Sequence, residues 1–193
     1  MIENQVGNRR AYGGPERGEV VTALRDLAKR VGVQRVTMRA LSAQLGAAVP
    51  SVYRHVPCKQ AALELVAESV LEEIPTSEDG PWDTRLVEFY SAARESILGV
   101  PGVANILQSR PESEPARRLD RYSRDLIAQA GLTKSGAAAA HMVLCTYLLG
   151  SVALEESRPP EEAPQARRPT AAQFRAGLDL IVAGIKSSAQ ETN

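Results

Sequence analysis

Residues 37–60 read TMRALSAQLGAAVPSVYRHVPCKQ, and this stretch decides the fold. Thr37 is a typical N-cap residue, Gly46 is a typical residue to follow a helix, and Pro50 suits the first turn of a new helix. The stretch and the apolar residues after it predict three helices: Met38–Leu45, Pro50–Val56 and Lys59–Ile74. Two short helices joined by a tight turn are typical of a helix-turn-helix, in which the second helix enters the major groove of DNA.

The chain on both sides of this stretch shows the same helical periodicity and no convincing strand pattern. In the predicted first helix, for example, Val20, Leu24 and Leu27 fall on one face. Periodicity predicts further helices over Arg17–Val31, Trp82–Leu98, Val103–Ser109, Arg117–Ala130, Lys134–Glu156 and Ala171–Ser188. We therefore expect an all-α protein with about nine helices.

Clusters of glycine and proline divide the chain into predicted units. Residues 1–16 contain four Gly or Pro residues and no apolar periodicity, which predicts a flexible arm. Residues 75–81 interrupt the helical pattern and form the predicted boundary between an N-terminal domain at 17–74 and a C-terminal domain at 81–193. Four prolines at 158–169 predict a loop between the last two helices.

Composition excludes several classes of protein. A hydrophobic share of 44% is too high for wholesale disorder, and two cysteines cannot build a disulfide framework. The chain starts without an apolar leader, so we expect a cytoplasmic protein. No uninterrupted apolar run approaches the roughly 18 residues of a membrane-spanning helix, so we expect no membrane partner.

The balance of 23 basic and 23 acidic residues hides an asymmetry. Residues 1–60 contain ten Lys/Arg and four Asp/Glu, a net charge of +6, and the remainder carries −6. A basic N-terminal third on an acidic body suggests that this third binds a polyanion such as double-stranded DNA. A chance distribution of solvated charges is the alternative.

The predicted second helix of the helix-turn-helix has a donor-rich outer face. Val52 and Val56 can face the core while four polar side chains stay outside: Ser51, Tyr53, Arg54 and His55. Such donors suit base edges and phosphates. An ordinary helical hairpin with a solvated face would show the same pattern, so the pattern alone leaves both interpretations open.

This region also resembles the signature of the TetR family of bacterial transcriptional repressors. The residues that carry the resemblance are Gly46, Pro50, Ser51, Tyr53, Arg54, His55, Val56 and Lys59. The match extends over about residues 17–70. It implies a three-helix, helix-turn-helix DNA-binding domain followed by a helical domain for ligand binding and dimerisation. It also implies a homodimeric repressor that a small organic effector releases from a palindromic operator.

The resemblance assigns DNA contacts to the second and third helices. Arg39 takes a position that touches a phosphate or a base edge, and Val49 and Pro50 offer apolar contact to a thymine methyl group. Tyr53, His55 and Lys59 resemble anchors on the DNA backbone. The complete expected set is Thr37, Arg39, Val49, Pro50, Ser51, Tyr53, Arg54, His55 and Lys59. Whether the arm at 1–16 enters the minor groove stays open.

The C-terminal helices concentrate aromatic and soft side chains on faces expected to point inward. If these side chains converge on a space between helices, they form a mostly apolar pocket with a few orienting polar groups. The alternative is that they fill the core. The expected ligand-binding set is Phe89, Tyr90, Ala93, Ile97, Tyr122, His141, Met142 and Cys145. No Arg or Lys lies on these faces, so we expect an uncharged or weakly polar organic effector.

The two last predicted helices, Lys134–Glu156 and Ala171–Ser188, are the expected dimer interface. Two copies of each would form a four-helix bundle. The last helix carries an apolar stripe that no later helix can cover: Phe174, Leu178, Ile181 and Ile185. We expect a partner subunit to cover this stripe, and the alternative is that it packs within its own subunit.

The remaining motifs do not indicate catalysis or a metal. His55 and Cys58 form one short-range pair and His141 and Cys145 another, but the two pairs fall in different predicted domains. The sequence contains no nucleophile elbow, phosphate-binding loop or zinc-protease motif. We therefore expect no enzyme, no metal and no cofactor. Two other functions stay open: an all-helical interaction protein whose basic face binds a protein or RNA, and a small-molecule-binding protein without DNA function.

Overall fold

The computed structural model describes residues 14–109, 112–156 and 170–190 of the chain. These ranges form nine α-helices and a short 3-10 helix at Val33–Arg35, and they contain no strand. In chain order the α-helices are α1 Arg17–Val31, α2 Met38–Leu45, α3 Val49–Tyr53, α4 Lys59–Glu72, α5 Trp82–Leu98, α6 Val103–Ser109, α7 Glu114–Ala128, α8 Lys134–Glu156 and α9 Ala171–Gln190. The all-α prediction is confirmed. Most of the predicted arm and the proline-rich loop lie outside the described residues.

Three helices end earlier than the sequence predicted: α3, α4 and α7, which ends at Ala128 rather than Ala130. Proline explains the first two differences. Helix α3 ends at Tyr53 rather than Val56, and α4 ends at Glu72 rather than Ile74. Val56 and Ile74 each precede a proline, whose ring disfavours helical backbone in the residue before it. Arg54 and His55, which the sequence placed in this helix, therefore lie on a turn after it.

Helices α7 and α9 are longer than predicted. Helix α7 begins at Glu114 rather than Arg117, because the Ser113 hydroxyl accepts a hydrogen bond from the backbone N–H of Ala116 at 3.4 Å. The proline after Glu114 lies in the first turn, where a missing N–H has no cost. Helix α9 continues to Gln190.

The first four helices form one packed unit. Helix α1 packs against α2 and α4, and α3 packs against α2. Thr37 caps α2, since its hydroxyl oxygen accepts from the N–H of Ala40 at 3.1 Å, and Gly46 ends the helix with a φ of 60°. Val52 and Val56 are fully buried, as predicted. These contacts fix α3 on the surface of the unit with its polar side chains outward.

Helix α5 is the central element of the second half, where it packs against α7, α8 and α9. Arg94 of α5 is buried there, and its guanidinium pairs with the Glu155 carboxylate at 2.6 Å and lies 5.4 Å from the centre of the Phe174 ring. The Glu155 carboxylate balances this buried charge, and the guanidinium ties α5 to both last helices. The expectation that no Arg faces inward is therefore wrong.

The apolar stripe on α9 is covered within the subunit. Phe174, Leu178 and Ile185 are buried, and Ile181 is half-buried. Helices α5 and α8 pack against α9 and cover these side chains. The prediction that a partner subunit covers this stripe is wrong. The large apolar side chain that α9 leaves exposed is Leu180, with 76% of its surface accessible.

Helix α8 is long and apolar enough to cross a membrane by length and composition, with a mean hydropathy of 1.7 over an 18-residue window. The expectation from uninterrupted apolar runs missed this property because His141, Thr146 and Ser151 interrupt the run. One face of α8 packs inside the fold through Leu144, Leu148 and Val152, but only 22% of that window is buried. The helix therefore has a second apolar face, which the described part of the subunit leaves largely uncovered.

The loop between α5 and α6 connects the two halves of the molecule. The backbone N–H of Val33 in the 3-10 helix donates to the carbonyl of Pro101 at 3.0 Å. The N–H of Gly102 donates to the Glu156 carboxylate at the end of α8 at 2.8 Å. Gly102 has a φ of 85°, and a Cβ there would lie 2.8 Å from a Val33 methyl carbon. Only glycine fits this close approach without strain.

We predict that Gly102→Ala lowers the free energy of unfolding by about 1–2 kcal/mol, because the added methyl group meets Val33 and the backbone stays left-handed. Gly18→Ala is the control: Gly18 lies in the first turn of α1, where a Cβ would meet no atom within 4 Å, so the substitution should not lower stability. Urea unfolding measures both. Equal effects of the two substitutions would contradict the assigned geometry.

Candidate nucleic-acid interface and ligand cavity

None of the nine predicted DNA-binding residues is buried. Arg39 and Arg54 are exposed, and so is Tyr53 with 44% of its surface accessible, whereas Ser51 and His55 are half-buried. The other members of the set lie at the α2 cap, on α3 or at the start of α4: Thr37, Val49, Pro50 and Lys59. Val52 and Val56 anchor the short helix α3 in the core, so its polar side chains face outward, as major-groove recognition requires.

The start of α4 adds a cation to this surface. The Lys59 ammonium donates to the carbonyl of Gln34 in the 3-10 helix at 2.9 Å. A lysine ammonium has three N–H donors, so two remain for a phosphate. Sequence reasoning missed the Gln34 contact, which holds this ammonium against the 3-10 helix.

Cys58 belongs to the same helix start and has a structural role. Its sulfur accepts from the backbone N–H of Ala61 at 3.5 Å and caps α4. Across the described ranges no group of three or more His, Cys, Asp or Glu side chains is arranged to hold a metal ion.

A cavity of about 470 Å³ lies among α4, α5, α6, α7 and α8. Its size falls within the range of about 300–1,000 Å³ found for small-molecule sites. Six of the eight predicted ligand-binding residues line it: Phe89, Tyr90, Ala93, Ile97, His141 and Cys145. Further apolar walls come from residues that the sequence did not single out: Leu71, Ile74, Leu107, Leu119, Leu148 and Leu149.

Two predicted residues do not line this cavity. The Tyr122 hydroxyl donates to the carbonyl of Ser77 at 2.6 Å, and its ring packs edge-on against Phe89 at 5.1 Å. Tyr122 therefore supports a lining residue without lining the cavity itself. Met142 is 69% exposed because it lies one position beyond the buried His141, which turns it to the outer side of α8. Both assignments to the cavity are corrected.

A chain of hydrogen bonds runs along one wall of the cavity. The Tyr90 hydroxyl lies 2.9 Å from the Ser123 oxygen, and that oxygen lies 3.2 Å from Nδ1 of His141. His141 Nε2 lies 2.8 Å from an Asp120 carboxylate oxygen. The other Asp120 oxygen accepts from Nε of Arg124 at 2.8 Å. Helices α5, α7 and α8 each supply part of this chain, so it also joins the three helices.

Charge and burial fix the direction of these hydrogen bonds. Burial first, and then the nearby Arg124 cation, lower the pKa of His141 below its ordinary value although the Asp120 carboxylate acts in the opposite direction. Burial raises the pKa of Asp120, but the hydrogen bonds from Arg124 and His141 outweigh it and lower the pKa overall. Neutral His141 therefore donates from Nε2 to Asp120 and accepts at Nδ1 from Ser123, which in turn accepts from Tyr90.

Cys145 closes the same wall as a thiol rather than a thiolate. Its sulfur lies 3.6 Å from His141 Nε2 and 3.7 Å from the Tyr90 oxygen. Burial is the main reason that the pKa of Cys145 is raised, and burial likewise raises the pKa of Tyr90. A protonated thiol is a poor nucleophile, so the geometry favours packing and weak hydrogen bonding at this position.

Charged side chains lie at the opening of the cavity. Arg117 and Arg121 line it from α7 with about half or more of their side chains exposed, and Asp120 lies beside them. The expectation of a cavity without Arg or Lys is therefore wrong, because it was based only on the apolar positions of α7. The i, i+3 and i+4 spacing of Arg117, Asp120 and Arg121 was the signal that could have placed them on one side of the helix.

Comparison with known proteins identifies the family of this chain, with its helix-turn-helix surface and its C-terminal cavity. A family model described as tetracyclin repressor-like, C-terminal domain, matches residues 74–173, which include most of the cavity wall. The chain belongs to the TetR family of transcriptional regulators. The resemblance seen in the helix-turn-helix thus extends through the second half of the chain.

Individual TetR-family proteins agree with this assignment. An HTH-type transcriptional regulator from Saccharopolyspora erythraea is 29% identical over 161 residues, which span 82% of this chain and 68% of the relative. Apo ActR from Streptomyces coelicolor has the same fold, with a TM-score of 0.78 at 22% identity over 95% of this chain and 100% of ActR. BioQ, solved with its double-stranded DNA operator, gives a TM-score of 0.71 at 25% identity over 90% of this chain and 99% of BioQ.

For this TetR-family protein we predict that His141 titrates below its ordinary value of 6.5. As the pH falls below about 6.5, His141 binds a proton in the unfolded chain before it does so in the folded chain. The stability that neutral His141 provides is therefore complete above this pH and declines as the pH falls toward the lower pKa of the folded state. Proton NMR of the imidazole resonances measures the pKa directly, and His55→Gln assigns the two histidines.

Asp120→Asn should lower the pKa of His141 further, because the carboxylate that favours the protonated ring is gone. Asp125→Asn removes an exposed acid from the same helix and should leave the titration unchanged. A His141 pKa above 6.5, or equal effects of both substitutions, would contradict the neutral hydrogen-bond chain.

Proposed function

We propose that the protein is a homodimeric repressor that binds a palindromic operator through α3 and leaves it when a small organic effector binds in the 470 Å³ cavity. The observation that carries the proposal is the position of α4. Leu71, at the end of this helix, and Ile74 just beyond it line the cavity, while α4 also packs against α1 in the helix-turn-helix unit. An occupant of the cavity therefore touches the helix that supports the DNA-binding surface.

DNA recognition is supported by the exposed face of α2 to α4. The side chains of Ser51 and Tyr53 and the arginines at 39 and 54 supply donors to bases and phosphates. The Lys59 ammonium, held by the Gln34 carbonyl, adds a positive charge at the adjoining helix start. Positioning contacts to phosphate and reading contacts to bases should therefore separate by residue.

We predict that Lys59→Ala weakens binding to all DNA sequences and reduces the salt slope of binding by about one unit per subunit, because one phosphate contact is lost. Ser51→Ala should instead change base preference at one position in each half-site. Lys134→Ala, on the remote helix α8, is the matched control and should change neither quantity. Fluorescence anisotropy at several salt concentrations measures both, and an unchanged salt slope for Lys59→Ala would remove this residue from the interface.

The coupling between cavity and DNA-binding unit runs through the C-terminal end of α4. Arg118 of α7 donates to the carbonyls of Leu71 and Glu72 at 3.3 and 3.5 Å. Arg25 of α1 pairs with Glu73, the next residue of the chain. Cations suit this end of a helix, whose last carbonyls lack partners. An effector that shifts α7 would therefore shift α4 relative to the recognition helix, and effector and operator would each weaken binding of the other by the same factor.

Dimerisation is supported by the apolar surface that α8 and α9 leave uncovered. The exposed large apolar side chains on the two helices are Met142, Val143, Leu154 and Leu180. Each is at least half exposed in the single subunit. This surface replaces the stripe expected from the sequence, and a second copy of the two helices would bury it in a four-helix bundle.

We predict that Met142→Arg together with Leu180→Arg gives monomers, because two pairs of cations would be buried in the symmetric interface. Gln108→Arg together with Gln129→Arg adds the same charge on exposed positions of α6 and beside α7 and should leave a dimer. Light scattering reports the mass of each variant. A dimeric Met142/Leu180 double variant with an intact helical spectrum would contradict the proposed interface.

The function itself is tested with the DNA that flanks the protein's own gene. We expect a specific gel shift that excess unrelated DNA does not compete away and that a small-molecule extract of the producing cells reverses. Binding without sequence preference, or binding to RNA instead, would favour the interaction protein with a basic face. Binding of small molecules with no DNA shift would favour a ligand-binding protein without DNA function.

A further inference from the structure

The opening of the cavity carries two cations that share one counter-ion. Arg117 and Arg121 lie on consecutive turns of α7, and each donates to the Glu114 carboxylate at 3.1 Å. Glu114 does not line the cavity, whereas both arginines do. One carboxylate balances one guanidinium, so this group of three side chains keeps a single positive charge at the opening.

The other charged group on the cavity wall does not cancel this excess. The Asp120 carboxylate is already balanced by Arg124, which donates to it at 2.8 Å. Its second oxygen is occupied by Nε2 of neutral His141. The Tyr90 hydroxyl and the Cys145 thiol face the cavity in their protonated forms. Among the residues that the structure describes, the lining is therefore apolar and neutral except for the positive opening.

We propose that the effector is an organic anion, with an apolar body in the cavity and an acidic group held by Arg117 and Arg121 at its opening. This inference rests on the proposed role of the cavity as the effector site. The aliphatic walls at Leu71, Leu119 and Leu148 accept the body, and the guanidinium forks accept a planar or tetrahedral anion through paired hydrogen bonds. The prediction of an uncharged effector considered only the helix faces that carry apolar side chains.

The existing ion pairs do not prevent an anion from binding. Glu114 has 66% of its side chain exposed, and an exposed ion pair contributes little stability. A guanidinium has five N–H donors, so each arginine can keep its contact with Glu114 and still donate to a second anion. The apolar wall beside the opening lowers the local dielectric constant and strengthens that second contact relative to one in water.

A matched pair of fluorescent probes tests the charge preference. Anilinonaphthalene sulfonate and phenylnaphthylamine share the same aromatic body, and only the first carries an anion. We expect the dimeric wild-type protein to bind the sulfonate more tightly. In Arg117→Gln/Arg121→Gln the affinity for the sulfonate should fall about fivefold, the scale of exposed charge pairs, with no change for the neutral probe. Lys29→Gln/Lys134→Gln removes the same charge elsewhere and should leave both affinities unchanged.

Cys145→Trp fills the cavity and locates the probes, because both should lose binding if they occupy it. Equal affinities of the two probes for wild type, or an unchanged sulfonate affinity in the double arginine variant, would overturn the anion preference while leaving the cavity as a binding site. Binding of both probes that survives Cys145→Trp would overturn the role of the cavity itself. Added salt should weaken binding of the sulfonate but not of the neutral probe.

Discussion

Helix α4 is the element on which the rest of the structure depends, because it belongs to two packed units at once. It packs against α1 in the first unit and against α5, α6 and α7 in the second. Arg25 and Arg118 approach its C-terminal end from opposite units. Because α4 is a wall of the cavity and also packs against α1, a displacement of α4 in one unit displaces it in the other. The close-packed interior transmits this displacement rather than absorbing it.

The parts of the fold that sequence predicted well are those decided by local chemistry. The Thr37 cap, the left-handed Gly46 and the burial of the valines at 52 and 56 depend mainly on neighbouring residues, so the pattern in one chain segment was sufficient. Helix ends before prolines were missed by two or three residues because periodicity continues past the point where the backbone can. The α9 stripe was misassigned because periodicity shows that a face is buried but not which element buries it.

The cavity shows the same division between local and distant information. Six lining residues were predicted because they are aromatic, small or soft on apolar faces, yet His141 alone gave no indication of its partners. Ser123 and Asp120 reach it from another helix, and their role depends on the packing of α7 against α8. Met142 has the same chemical character as the lining residues but falls on the outer face of α8. The residue types on the helices predict the chemical character of the cavity lining, but only the tertiary structure shows which residues belong to it.

The distribution of charge around the cavity follows from what burial costs. Deep in the wall, protons are arranged so that Tyr90, Ser123 and His141 are all neutral and all satisfied, because an unpaired charge there would be costly. The charge that distinguishes one ligand from another is therefore placed at the opening, where solvent supports the cations at positions 117 and 121 before a ligand arrives. The hydrogen-bond chain of Tyr90, Ser123 and His141 then provides shape and hydrogen bonding, and the outer pair of arginines at the opening provides the charge preference. Since α7 carries the outer pair, Asp120 and Arg118, binding at the opening acts on the same helix that holds the end of α4.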